Sequence, residues 1–492
     1  MIGCGGACGE NMDIGQNGRR PHITILGGGL GGLAVGYYAS KKGLPFVLYE
    51  ASDRVGGNCT TLKHGDFLFD SGAHRFHDRD RRITREVKEL LGADLKTVDI
   101  PSKIYYKGKL VTFPLAPLDL ARSLGLCTLV RVGLEILRGR LMSAEQDGSF
   151  ESFAINTYGK TIADQFLLNY SEKLWGQSCD KLSPAIAGER LQGLNVRSFL
   201  MDSILPAKSK SRHLDGMFYY PKFGISAISE KLAERCGRSN IRTDSRVTGI
   251  AHNSRRIEAV EVNGKEWVDA DEVVSTLPLG YFLGAMRPAA PQRLLDMAER
   301  LRYRSLVLVS LFINRNLVTR AATVYFPDRS FPFTRLYEPK NRCEHMSPAE
   351  QTSLVAEIPC QRDDGIWARG DDELIEMVRS KLVDIGWITE AEVMNASVRR
   401  LDCAYPVLEV GAEPAVREIR AYLESFANLT LSGRNGRFVY SWIHDMMKFG
   451  REIIGQHCRK YRDAGPPIVE LKMPGGKGMS TQRDETRQML SS

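Results

Sequence analysis

The chain has 492 residues, 43% of them hydrophobic and 26% charged, enough for two or three globular domains with an ample core. Its net charge of +8 is spread along the chain without a basic stripe, which argues against nucleic-acid binding and suits an anionic cofactor or substrate. The ten cysteines include no C-x-x-C pair, so free thiols in a reducing cytoplasm are expected and a metal site is not. Residues 1–20 lack both a basic start and an apolar run, and read as a disordered leader rather than a secretory signal.

The first ordered elements carry the strongest signal. Ile23 to Leu26 is a short apolar run between polar residues and glycines, the look of a buried parallel strand. Gly27, Gly29 and Gly32 then fit G-x-G-x-x-G, Ala34 to Lys42 is helix-like, and Gly43 stops it. A second strand, Pro45 to Tyr49, ends on Glu50, 18 residues past Gly32. In such a unit Gly27 allows the tight turn, Gly29 lets backbone approach a pyrophosphate, and Gly32 lets helix pack on strand. The helix N-terminus faces the phosphates, and Glu50 stands where an acid accepts ribose hydroxyls. Arg54, Gly56, Gly57 and Thr61 extend the pattern to E-x-x-x-R-x-G-G-x-x-x-T, suiting a ligand whose phosphates continue toward a second ring.

Further along, D-S-G-A-H-R-F-H places His74 and His77 beside a glycine turn. Arg82 to Leu91 predicts a helix, and Ile104 to Phe113 a hairpin turning at Lys107-Gly108. Leu115 to Ser178 reads as mostly helical. Its greasiest part, Leu115 to Leu141, is interrupted by charges and cannot span a bilayer. Ser183 to Arg197 is a further helix bearing Arg190 and Arg197, followed by a basic loop. Strand, glycine turn and helix recur from Met217 to Cys236, and a hairpin turns at Asn263-Gly264. Asp271 to Pro278 is a buried strand returning to the first sheet. Leu306 to Ile313 and Ser353 to Ile358 bracket F-P-F-T-R-L-Y-E and predict a second sheet flooring a substrate pocket. Asp371 to Ile385 and Pro414 to Phe426 are helices. The strand Leu429 to Leu431 runs straight into Gly433-Arg434-Asn435-Gly436, and the tail is expected to be flexible.

The extended glycine pattern resembles the FAD signature of the amine oxidase, protoporphyrinogen oxidase and UDP-galactopyranose mutase superfamily. G-A-H-x-F-H, Y-S-E-K-L-W-G, F-T-R-L-Y-E and the final strand with G-R-N-G are similar to mutase-family segments, in the same order. The resemblance implies an α/β fold. A doubly wound FAD domain would be assembled from 21–80, 215–280 and 400–456, with a mostly helical insert at 81–214, a β-sheet substrate domain at 281–399 and a flexible tail from 457. It implies FAD as cofactor, held by Gly27, Gly29, Gly32, Glu50, Arg54, Gly56, Gly57, the Val247 backbone, Gly433 and Arg434. His74 and His77 would run beside the flavin ring, and Lys222 or Arg434 would supply positive charge near it. Trp175 would be a ring platform, with a buried core Trp the equal alternative. Arg335 falls on a diphosphate-binding arginine, against the plainer alternative of a salt bridge to Glu338. Arg190 or Arg197 falls near the second such arginine, and Tyr440 joins the substrate side. Where mutases place a tyrosine after the last glycine turn, this chain has Ser441. The leading expectation is therefore an FAD-dependent oxidoreductase taking hydride from a polar small molecule, sugar-linked or anionic. A redox-neutral nucleotide-sugar mutase using reduced flavin as nucleophile is the alternative, and a non-catalytic flavin scaffold the third.

Overall fold

The computed structural model describes residues 21–113, 125–141, 147–187 and 217–462. The leader, Arg190, Arg197, the basic loop that follows them and the end of the tail lie outside these residues.

The apolar run Ile23–Leu26 becomes the middle strand of a five-stranded parallel sheet. Phe46–Tyr49 pairs on one side and Glu272–Ser275 on the other. Ile241–Arg242 and Leu429–Leu431 complete the two edges, so one sheet gathers strands from widely separated parts of the chain. This is the doubly wound α/β arrangement, and its strands are apolar because helices cover both faces. Leu30–Lys41 and the long helix Ile443–Arg462 lie against each other, with Met446, Met447 and Ile454 packed on Leu33, Ala34 and Val35. Their approach depends on Gly450, where an added Cβ would stand 2.7 Å from the Ala34 carbonyl carbon. The last helix runs to Arg462, past the expected start of the tail.

A four-stranded sheet built on the Val247–His252 and Ile257–Val262 pair flanks this domain. A seven-stranded sheet forms the second body, in the order Val393–Pro406, Tyr303–Ile313, Thr352–Cys360, Arg335–Tyr337, Val324–Tyr325, Ser102–Tyr106, Lys109–Phe113. One face is covered by the helix Asp371–Asp384 through Leu374, Val378 and Leu382. The other packs Leu308, Phe312, Tyr337 and Val355 on Phe67 and Phe69 of the hairpin Thr61–Asp70.

Two features depart from the sequence reading. The expected hairpin forms over Ser102–Phe113 but joins the second sheet rather than the insert of 81–214, because its parallel pairing with Val324–Tyr325 is long-range. The 14-residue strand Val393–Pro406 was not anticipated: only Ala404 and Pro406 of it are buried, so no apolar run announces it. The helices Leu126–Leu141, Phe150–Tyr158 and Asn169–Trp175 pack beside the sheet, with Val132 and Ile136 against Ile104 and Phe166. No helix among the described residues is long and apolar enough to cross a membrane.

Candidate active site

Four strands of the parallel sheet end at one cavity of about 300 Å³. Gly27 follows Ile23–Leu26, Glu50 follows Phe46–Tyr49, Thr276 follows Glu272–Ser275 and Gly433 comes just after Leu429–Leu431; all four line it. Ligands of open α/β sheets sit at such carboxyl ends, where the strand order reverses. The three glycines of the fingerprint differ as their expected tasks require. Gly27 has φ +99°, a Cβ on Gly32 would lie 2.0 Å from the Gly27 carbonyl oxygen, and a Cβ on Gly29 would meet nothing nearer than Gly57 Cα at 4.0 Å. Backbone at Gly29 is therefore open to an approaching phosphate, with the N-terminus of Leu30–Lys41 behind it.

Glu50 is oriented before any ligand arrives. One carboxylate oxygen accepts from the Gly28 N–H at 2.7 Å and the other from the Ser52 N–H at 2.9 Å, leaving lone pairs for ribose hydroxyls. Gly56 and Gly57 line the same cavity, and Gly56 N–H bonds the Gly28 carbonyl at 2.9 Å. Arg54 does not reach the cavity; its guanidinium donates to Thr60, which in turn bonds the Gly57 carbonyl at 2.8 Å. It thus braces the glycine pair. Val247 also lies off the lining, and its carbonyl accepts the Tyr281 hydroxyl at 2.7 Å. Lys222 is elsewhere, with its ammonium over the Phe223 ring at 5.1 Å.

The same cavity is also lined by Arg434, His74, Asn435, Ser441 and Trp442. Arg434 donates to the Ala404 carbonyl at 3.1 Å and the Ser441 carbonyl at 2.6 Å, which fixes its charge at the wall. Burial, reinforced by the positive charges of Arg434, Arg342 and Arg335, pushes His74 down to about 3, so its imidazole is neutral. His74 Nε2, Asn435 Oδ1 and Ser441 Oγ are buried without a hydrogen-bond partner, and all three residues line this one cavity. Unpaired buried polar atoms are costly, and three around one void fit a polar ligand that satisfies them. A nucleotide with a polar ring system meets that description, and the residues present fit FAD. His77, three residues on, does not line this cavity; its ring is 6.1 Å from Phe218 and 6.5 Å from Trp442.

A second cavity of about 140 Å³ shares Trp442 with the first. Its lining is aromatic: Phe113, Phe150, Phe166, Tyr170, Trp175, Tyr325 and Tyr440. Trp175 is 3% exposed and edge-on to Tyr440 at 5.8 Å and to Tyr405 at 6.1 Å, so it is both core and pocket wall. Arg335 is the one charged residue among the described lining. Its partner is not Glu338, which lies buried and accepts from Val318, Thr319 and Thr352. Strand register puts Arg335 directly opposite Glu357, and Nε donates to that carboxylate while Nη2 donates to the Tyr405 hydroxyl at 2.8 Å. Glu357 is fully buried and also accepts the Ala73 N–H at 2.6 Å. Glu357 and Tyr405 escaped the sequence reading, though one signal was available: Glu357 is the only charged residue in the run Thr352–Cys360. No group of three or more potential metal ligands occurs among the described residues.

Comparison with known proteins supplies the context. The sequence pattern of the family described as flavin containing amine oxidoreductase matches residues 30–395. The chain is 23% identical over 437 residues to coproporphyrinogen III oxidase of Bacillus subtilis (strain 168), covering 82% of this chain and 91% of that one. It is 22% identical over 438 residues to the zeta-carotene-forming phytoene desaturase of Myxococcus xanthus, covering 82% of this chain and 81% of the other. Among solved structures, reduced UDP-galactopyranose mutase superposes with a TM-score of 0.74 at 19% identity, covering 89% of this chain and 96% of that one, a likeness of fold.

Proposed function

This chain belongs to the flavin containing amine oxidoreductase family, an FAD-dependent oxidoreductase, and on that premise we propose that it oxidises a molecule with a flat apolar body and an acidic group. The carrying observation is Arg335: a single guanidinium, anchored by Glu357 and Tyr405, in an otherwise aromatic cavity that shares a wall with the cofactor cavity. FAD, held along Gly27 to Gly32 and at Glu50, would supply the two-electron acceptor for the substrate's hydride. Aromatic walls exclude water and orient a planar skeleton, while Arg335 fixes its acidic end. Arg434 keeps a positive charge beside the cofactor, favouring its reduced form. His74, held neutral, offers a hydrogen bond at Nε2 rather than a proton charge.

Of the polar substrates expected from the sequence, the anionic kind accords best with a lone guanidinium in this lining. A nucleotide-sugar mutase needs several cationic groups for a diphosphate, and among the described lining residues only Arg335 is cationic. One relative is named for a coproporphyrinogen and another for phytoene, organic skeletons rather than nucleotide sugars.

The test is an anaerobic panel of aromatic and conjugated carboxylates, amines and nucleotide sugars, read by loss of the oxidised flavin's visible absorption. Bleaching by an acidic planar compound without added reductant is the expected result, and Arg335→Met should raise the concentration that gives half-maximal bleaching roughly tenfold or more, the loss of one charge-assisted contact. Interconversion of UDP-galactose and UDP-galactofuranose only in the presence of dithionite would instead establish the mutase reading.

A further inference from the structure

We infer that Glu357 is a positioning residue that couples occupancy of the aromatic cavity to the loop beside the cofactor. The inference rests on the reading of Arg335 as anion partner. Glu357 lies on the face of the second sheet that packs toward the Thr61–Asp70 hairpin, on a strand buried along its whole length. A carboxylate there is costly unless each oxygen is satisfied. Its two oxygens are satisfied from two different places. Oε1 takes the Ala73 N–H at 2.6 Å, next to His74 at the cofactor cavity; Oε2 takes Arg335 Nε at the aromatic cavity. One carboxylate therefore joins the two halves of the site.

That arrangement makes the two bonds interdependent. Among the described residues Arg335 Nη1 has no hydrogen-bond partner, so the guanidinium retains a donor for an incoming anion. An anion drawing on the guanidinium competes with Glu357 for its charge, and the carboxylate then depends more heavily on Ala73. The loop is able to follow because Gly72, with φ +143°, precedes Ala73. A Cβ at Gly72 would stand 3.6 Å from His74 Nε2 and 3.7 Å from Glu357 Oε1, so carboxylate, glycine and imidazole are immediate neighbours. Filling the aromatic cavity is thereby transmitted to the group that borders the cofactor.

Benzoate is a suitable probe, since a cavity of this size holds about one six-membered ring. FAD-loaded protein titrated with benzoate should show a perturbed flavin absorption band. Glu357→Gln keeps an acceptor for Ala73 and removes the charge that Arg335 serves. It should bind benzoate roughly tenfold more tightly, since the probe no longer competes with an internal anion, and with a much smaller flavin perturbation. Wild-type affinity and an undiminished perturbation in Glu357→Gln would overturn the coupling. Arg335→Met separates the two ideas: wild-type benzoate affinity in that variant would overturn the reading of Arg335 itself. Hydrogen exchange of residues 71–77 in unmutated holoenzyme gives a check that needs no variant. Benzoate should change it, and an unchanged rate would refute the coupling.

Discussion

At the scale of single residues, close approach and charge decide what this site tolerates. Gly32 is the tightest case: an added methyl would stand 2.0 Å from the Gly27 carbonyl oxygen, and backbone cannot yield as a side chain would. Gly32→Ala should therefore purify without flavin colour and lose about 1–3 kcal/mol of stability, checked by visible absorption and denaturant melts. His74 gives a pH prediction. Its imidazole is depressed from the ordinary 6.5 to about 3 by burial and by neighbouring arginines. Between those values the unfolded chain binds the proton and the folded one does not, so stability falls as pH drops from 6.5 toward 3. His74→Asn should flatten that slope relative to wild type in melts across the same range. Residue types at this scale were readable in the sequence, but their partners were not. His74 and His77 are three positions apart in an irregular loop, and nothing periodic tells which one reaches the cavity.

At the scale of elements, one side chain makes three bonds from the helical region to a loop of the second sheet. Lys173, on the helix Asn169–Trp175, donates to the carbonyls of Phe326 at 2.8 Å, Asp328 at 2.8 Å and Phe333 at 3.0 Å. These acceptors belong to a loop whose Pro327 lines the aromatic cavity. Lys173→Met leaves three carbonyls without their donor and should cost about 2–3 kcal/mol. Because the loop loosens against the cavity wall, KM should rise more than kcat falls, which steady-state kinetics with any turned-over substrate will show. Element reading from sequence succeeded where the pattern is local, as for the hairpin turning at Lys107-Gly108 and the strand Leu429–Leu431. It failed for Val393–Pro406, where polar and half-exposed residues hide a strand made by its pairing with Tyr303–Ile313.

At the scale of the whole molecule, the cofactor cavity is a joint between distant stretches of chain. Residues near 27–31, 50–59, 276–278 and 433–446 all contribute to it, so a ligand there ties the discontinuous domain together. Adding FAD in thousandfold excess over its dissociation constant should raise stability by about 4 kcal/mol, seen as a higher Tm in a thermal melt. A melt indifferent to FAD would contradict the assignment of this cavity. Across the boundary between the two bodies, the buried Asp70 carboxylate accepts from Tyr220 at 2.6 Å, Thr61 at 2.8 Å and the Ile225 N–H at 3.0 Å, with Arg342 3.7 Å away. That network orients the hairpin on which the His74 loop begins.

The sequence by itself determined the dinucleotide turn and the two strands around it, because the fingerprint from Ile23 to Gly57 is a local object; FAD in particular followed from the family resemblance of its extension. Each glycine and acid acts on backbone a few residues away, so spacing alone carries the geometry. The tertiary structure alone decided which charges meet. Arg335 is three positions from Glu338 but bonds Glu357, since antiparallel register, not proximity in the chain, sets which side chains share a face. The joining of cofactor cavity and aromatic cavity at Trp442 is likewise a product of packing between segments that no local pattern connects.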